Sequence, residues 1–168
     1  HAVSLSQYNC TKCSYHFYQN SKPATGALIT RRSTGNPLSP QEVLLTKRGI
    51  EPYQNWWDTP GGFLHNGEEP VEGLRREVME ELGVEITDIQ LFAAFPDIYP
   101  RDGVPPEASH TLCLYFTCRL TDAEVDLNPQ DDITEYAWFP LTSLPEKIAF
   151  NANRKVLEKL KETVITAP

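Results

Sequence analysis

The stretch "LRREVMEELG", residues 74–83, puts three glutamates, Glu77, Glu80 and Glu81, within five positions. Set on a helical wheel at about 100° per residue, Val71, Leu74, Val78 and Leu82 form one narrow apolar stripe. The three glutamates gather within roughly 100° of arc beside that stripe, and Arg76 lies on the other side of the cluster. Carboxylates at i,i+3 and i,i+4 spacing repel by roughly 0.2–0.5 kcal/mol per pair, so a helix that concentrates them needs a reason. A solvated charged face is the commonest fate of such a run. Here the preceding "PGGFLHNGEEP", residues 60–70, adds a glycine turn and a further acid, Glu68. Pro70 suits the first helical turn and Gly83 suits its end. Hard divalent cations take oxygen ligands at about 2.1 Å and commonly combine a few carboxylates with water and substrate phosphate. Three carboxylates on a rigid edge beside a glycine loop offer such a site, and a cation there offsets their repulsion.

Outward from this helix, "PATGALITRR" and "QEVLLTKRG" read as two strands joined by the turn-rich "STGNPLSP". "GIEPYQNWWDTPGG" reads as a loop broken by Pro52 and Pro60. "VEITDIQLFAAF" reads as a strand, followed by a proline-rich loop, 96–110. "TLCLYFTCRL" alternates, with Leu112, Leu114, Phe116, Cys118 and Leu120 on one face and Thr111, Cys113, Tyr115, Thr117 and Arg119 on the other. That pattern predicts a half-buried strand whose two cysteines cannot share a metal. A short strand ending in "YAWF" follows, and "NANRKVLEKLKETV" closes as an amphipathic helix with Val156, Leu157, Leu160 and Val164 on one side. Residues 1–23 read as polar and irregular. Mixed strands with few helices predict an α/β or α+β sandwich.

With 168 residues, one domain with one core is expected. Net charge is −8, from 15 basic and 23 acidic residues, which argues against a broad grip on nucleic acid or anionic membrane. It leaves room for a phosphate-bearing substrate, because a bound cation reverses the local field. No apolar run approaches the roughly 18 residues that span a bilayer. "HAVSLSQYNC" lacks the basic and apolar regions of a signal peptide, and Cys10, Cys13, Cys113 and Cys118 do not suggest a disulfide framework. Reduced thiols and a cytoplasmic location are expected.

From Gly62 the chain runs glycine, five residues, Glu68, seven residues, then Arg76, Glu77, Val78, one residue, Glu80, Glu81, one residue, Gly83 and Val84. This resembles the Nudix box, GX5EX7REUXEEXGU with U aliphatic, at every defined position. "NWWDTPGGF" resembles the segment leading into the box, and "EYAWFPLTSLPEKIAF" plus a helix resembles the C-terminal portion, so the likeness covers about residues 23–165. The resemblance implies the Nudix α/β/α sandwich around a mixed sheet. It implies a hydrolase that cleaves a nucleoside diphosphate linked to another moiety, ADP-ribose or another nucleotide derivative, using Mg²⁺ with Mn²⁺ able to substitute. Glu77, Glu80 and Glu81 would bind metal, Arg76 would orient them, and Glu68 would brace the loop or join the metal shell. Gly61, Gly62 and Gly83 would be structural. The runner-up reading is a Nudix-fold module that binds or senses a nucleotide without turnover. It fits less well, because every box glutamate is kept.

The family's general base comes from the box or from a loop outside it, and Asp131, Asp132 and Glu135 are candidates here, with Glu107 a weaker one. For substrate binding, Arg48, Tyr53 and Trp56 are the candidates, since aromatic faces stack on bases, while Trp57 is expected to pack in the core. The SQPWPFPxS motif that marks NADH pyrophosphatases is absent. Pro100 lies near where ADP-ribose-cleaving members carry a proline, and the loop 97–110 is the candidate substrate lid. "NCTKC" with "SYHFYQNSKP" resembles the second knuckle of a zinc ribbon that precedes some Nudix domains. A structural zinc needs four ligands, so zinc at Cys10 and Cys13 is not expected in the chain as it stands. The expected organisation is an N-terminal segment, 1–22, and a Nudix domain, 23–168. The expected partner is a nucleotide-derived small molecule, without nucleic acid or membrane, and a homodimer is left open.

Overall fold

The computed structural model describes residues 7–32, 41–100, 103, 109–123 and 125–166. Among these, β1 (Gln7–Asn9) and β2 (His16–Tyr18) pair antiparallel as a small sheet of their own. The irregular N-terminal segment expected from composition is therefore a hairpin in part. Its turn is closed by Ser14 N–H donating to the Cys10 carbonyl at 2.9 Å and by Cys10 N–H donating to the Tyr15 carbonyl at 2.8 Å. Such turn bonds leave little trace in composition.

The main sheet contains β3 (Lys22–Arg32), β4 (Gln41–Arg48), β5 (Trp57–Asp58), β6 (Ile86–Ile98), β7 (His110–Leu120) and β8 (Ile133–Pro140). β6, β7, β3 and β4 lie in that order, and β8 pairs with the far edge of β4. The β3–β7 pair is parallel and the others are antiparallel, so the sheet is mixed. One edge of β4 is shared: β3 pairs with it at Gln41 to Val43, and β5 at Thr46 and Lys47. The gap where β3 leaves β4 is filled by the glycine loop. Ala27 N–H donates to the Pro60 carbonyl at 2.7 Å, and Thr25 N–H to the Gly62 carbonyl at 2.9 Å. This divergence creates the site.

Helix α1 (Pro70–Leu82) covers one face, with Leu74, Val78 and Leu82 buried against Ala27, Ile29, Leu44 and Phe116. Helix α2 (Asn151–Thr166) covers the other, with Val156, Leu157 and Leu160 against Leu28, Val43, Leu45 and Tyr115. The α/β sandwich is as expected. Pro70 opens α1, and Gly83 closes it with φ 69°, its N–H donating to the Met79 carbonyl. Trp57 packs edge-on to Phe139 at 4.8 Å in the α2-side core.

Two strand expectations need correction. β7 is packed on both faces rather than half-buried: Phe116 and Cys118 belong to the α1-side core and Tyr115 to the α2-side core. Its alternation of apolar and polar residues marks two different cores, not core and solvent. β6 continues through Pro96 to Ile98, three residues beyond the predicted end. A proline that would break a central ladder is tolerated at an edge, and β6 is the edge strand. The connection to β7 is correspondingly shorter than 97–110, and much of that loop, Glu107 included, lies outside the described residues.

Candidate active site

Arg76 organises the acidic edge. Its Nε and Nη2 donate to both oxygens of Glu68 at 2.8 and 2.9 Å, a bidentate pairing. Nη1 donates to Glu77 at 2.8 Å and to Glu80 at 3.0 Å, and Nη2 also reaches the Phe63 carbonyl at 3.2 Å. Glu68 further accepts the His65 N–H at 2.8 Å. These donors, led by Arg76, hold the Glu68 pKa down to about 2. Glu68 therefore braces the loop onto the helix.

Glu81 separates from the other two. It is buried, 9% exposed, and its Oε2 accepts the Gly61 N–H at 2.9 Å. Burial pushes its carboxyl well above the usual range, and nearby Asp58 and Glu77 push the same way. Glu77 is raised as well, by burial first, with Arg76 opposing. Gly62 matters here through its lack of a side chain, since a Cβ at that position would stand 2.6 Å from the Glu77 carboxylate.

Glu77, Glu81, both loop glycines, Arg48, Asp58, His65, Asp131 and Asp132 line one polar cleft. Of the candidate bases, Asp131 and Asp132 reach it. Glu135 does not: it faces Lys47 across the β4–β8 ladder and pairs with it at 2.7 Å. Arg48 is ion-paired to the partly buried Asp58 at 2.8 Å, donates to the Pro52 carbonyl at 2.7 Å, and stands over the Phe150 ring at 5.0 Å. Tyr53 and Trp56 line an outer recess with Tyr99 and Pro100 rather than the carboxylate cleft.

Among the described residues no three of His, Cys, Asp or Glu converge to enclose a metal ion in this conformation, in which Arg76 pairs with both Glu77 and Glu80. The donor set nevertheless fits a hard divalent cation. All its side-chain donors are carboxylate oxygens. Among the described residues one guanidinium, that of Arg76, is ion-paired to Glu68, Glu77 and Glu80, and Glu81 has a backbone N–H for its partner, so the carboxylates outnumber the cations paired to them.

A second, smaller recess adjoins the cleft, walled by Thr25, Phe63, Tyr99, Tyr115, Phe150 and Asn153. Its polar groups interlock. Asn153 Nδ2 donates to Asp58, while Tyr115 Oη donates to Asn153 Oδ1 at 2.6 Å. Phe63, Tyr99 and Phe150 form a row with 5.4 Å between successive ring centroids. Sequence reasoning does not single out Asp58, Phe63, Tyr99, Phe150 or Asn153. Only Asp58 carries a signal, as the acid just before the glycine turn.

A NUDIX domain model matches residues 20–160. The NAD-capped RNA hydrolase NudC of Deinococcus radiodurans is 28% identical over 156 residues, covering 92% of this chain and 50% of its own length. The ADP-ribose pyrophosphatase of Methanocaldococcus jannaschii is 29% identical over 122 residues, covering 71% of this chain and 66% of its own. A NUDIX hydrolase structure from Nitrosomonas europaea superposes with a TM-score of 0.70 at 30% identity, covering 93% of this chain and 78% of that one. The chain spans about half the length of the NudC relatives it matches.

Proposed function

The chain belongs to the NUDIX domain family, and from that premise we propose that it is a divalent-metal-dependent diphosphatase acting on a nucleoside diphosphate linked to another moiety. The observation that carries this reading is the joint placement of Glu77, Glu81 and the two loop glycines in one cleft, with Arg76 clamped to Glu68 behind them. The names of the relatives support a nucleotide-derived substrate.

Glu77, Glu80 and Glu81 would hold Mg²⁺ or Mn²⁺, which supplies charge neutralisation at phosphate and a more acidic bound water. Glu80, half exposed, can leave Arg76 at the small cost of a surface ion pair. Arg76 keeps Glu77 aligned while Glu68 fixes the guanidinium. Asp131 or Asp132 would steer or deprotonate the attacking water. Arg48 would face substrate phosphate, and Tyr53 and Trp56 would stack on a ring in the outer recess.

The test is a panel of ADP-ribose, NADH, FAD, nucleotide sugars, dinucleoside polyphosphates and dNTPs, each assayed with Mg²⁺ and Mn²⁺. Turnover of a diphosphate-linked nucleotide is expected. Binding without turnover across the panel would replace this reading with a sensing module.

We further propose that residues 23–168 form the enzyme body and 1–22 an appendage, consistent with a hairpin sheet separate from the main one. Cys10 and Cys13 are exposed at the hairpin turn. Changing both to Ser is expected to leave melting temperature and turnover near wild type. Stoichiometric zinc in the purified chain, lost together with stability in that variant, would overturn this and make the hairpin part of a metal site.

A further inference from the structure

We propose that Asp58 is a positioning residue for the substrate's phosphates, holding the Arg48 guanidinium where the carboxylate cleft meets the recess beside it. This inference rests on the diphosphatase reading only in placing a nucleoside diphosphate at the adjacent carboxylates.

Arg48 lines both cavities. It stands where the β4–β8 ladder shifts register, between Lys47 and Arg48, an irregularity of the kind that re-aims a side chain. An arginine side chain is long and rich in rotamers. Here three groups hold it: Nη1 donates to Asp58 Oδ2 at 2.8 Å, Nε to the Pro52 carbonyl at 2.7 Å, and Nη2 to Tyr99 Oη at 3.4 Å. Asp58 is the charged member of the three, and a charge-assisted hydrogen bond is the stronger kind.

Asp58 is itself held. Its Oδ1 accepts the Thr59 N–H at 2.8 Å and an Nδ2 hydrogen of Asn153. Asn153 is buried on α2; its Oδ1 accepts Tyr115 Oη at 2.6 Å and Thr59 Oγ1 at 3.1 Å, and its Nδ2 also donates to the Ala149 carbonyl at 3.1 Å. One carboxylate therefore ties the guanidinium to α2, to β7 and to the start of the glycine loop. Both of its oxygens are committed within the protein, so Asp58 acts on a ligand through Arg48. A side chain already ordered in the free protein need not be ordered on binding. Taken alone, the Asp58 charge would repel a phosphate. The two roles thus predict opposite signs: removing the carboxylate weakens phosphate binding if it positions Arg48, and strengthens it if it acts only as a charge.

The experiment measures binding of ADP, GDP, CDP and UDP in Mg²⁺ by calorimetry, with turnover on the substrate panel measured separately. In Asp58→Asn the amide has one acceptor oxygen where the carboxylate has two, so it cannot serve Arg48 and Asn153 together. This variant is expected to bind the best-bound diphosphate about tenfold more weakly, although it removes a negative charge. Asp58→Ala is expected to lose a similar factor, which covers the case in which the amide perturbs the fold. In an Arg48→Gln background Asp58→Asn is expected to leave affinity unchanged or to raise it, because the group through which Asp58 acts is gone. Melting temperatures are read alongside, since a carboxylate that only supported the fold would lower them and leave the affinity of the folded protein unchanged. Equal or tighter binding by the Asp58 variants, the same loss in the Arg48→Gln background, no binding of any of the four by wild type, or failure of both Asp58 variants to fold overturns the assignment. Absence of turnover with this pattern of binding intact counts against the diphosphatase reading alone.

Discussion

Glu81→Gln is expected to lower kcat by about two to four orders of magnitude while leaving the metal-free protein as stable as wild type or slightly more so. A metal ligand that loses its charge forfeits several kcal/mol of charge stabilisation at the reacting phosphate, and each 1.36 kcal/mol is about a factor of ten. The amide oxygen can still accept the Gly61 N–H that Glu81 accepts at 2.9 Å, so the loop keeps its anchor. The carboxyl is buried and already disfavoured there by desolvation, with Asp58 and Glu77 adding to the effect. Removing it relieves the fold rather than weakening it. In the same assay, EDTA is expected to abolish hydrolysis and added Mg²⁺ or Mn²⁺ to restore it. Full turnover in chelator, with metal shown to be absent, would rule out this mechanism.

The neighbouring stripe should behave in the opposite way. Leu74 is fully buried on α1, and Leu74→Ala is expected to cost about 2–5 kcal/mol of stability. The protein that stays folded should keep its activity. Melting in EDTA and initial rates in Mg²⁺ measure both variants. If Glu81→Gln destabilised the metal-free fold and spared turnover, the acidic edge would be structural.

What could be read from sequence follows the range of the interactions involved. The α1 stripe of Leu74, Val78 and Leu82, its Pro70 start and its Gly83 stop depend on local periodicity and backbone chemistry, and all appear in the structure. The division of the glutamates does not follow from the wheel. Glu81 turns toward the Gly61 N–H, while Glu77 and Glu80 turn to Arg76, and that choice depends on where the loop folds back. Pro96 reads as a breaker locally, and only its place on an edge strand admits it to β6. The inner recess joins Thr25 on β3, Tyr99 after β6 and Asn153 on α2. No short motif encodes that meeting, because it is produced by β3 diverging from β4. Glu135 stays outside the cleft for a related reason: the β4–β8 register sets it opposite Lys47.

The adjacent glycines of the loop should fail in different ways. At Gly61, φ is 140°, and an added Cβ would meet the Thr25 carbonyl oxygen at 2.2 Å. Both the conformation and the collision involve backbone, so Gly61→Ala is expected to cost at least about 1–3 kcal/mol, and to disturb β3 along with the loop. At Gly62 the nearest atoms to an added Cβ are those of the Glu77 carboxylate, the far end of a flexible side chain, at 2.6–2.7 Å. Gly62→Ala should therefore fold with little loss of stability and push Glu77 out of line. A displacement of about 1 Å in a reacting arrangement can cost about a hundredfold, and a loss of that order in kcat is expected with a nearly unchanged melting temperature. The paired measurement is thermal melting without metal and initial rate with Mg²⁺ for each variant. If Gly62→Ala kept wild-type turnover, Glu77 would not need its observed position, and its assignment as a metal ligand would fall.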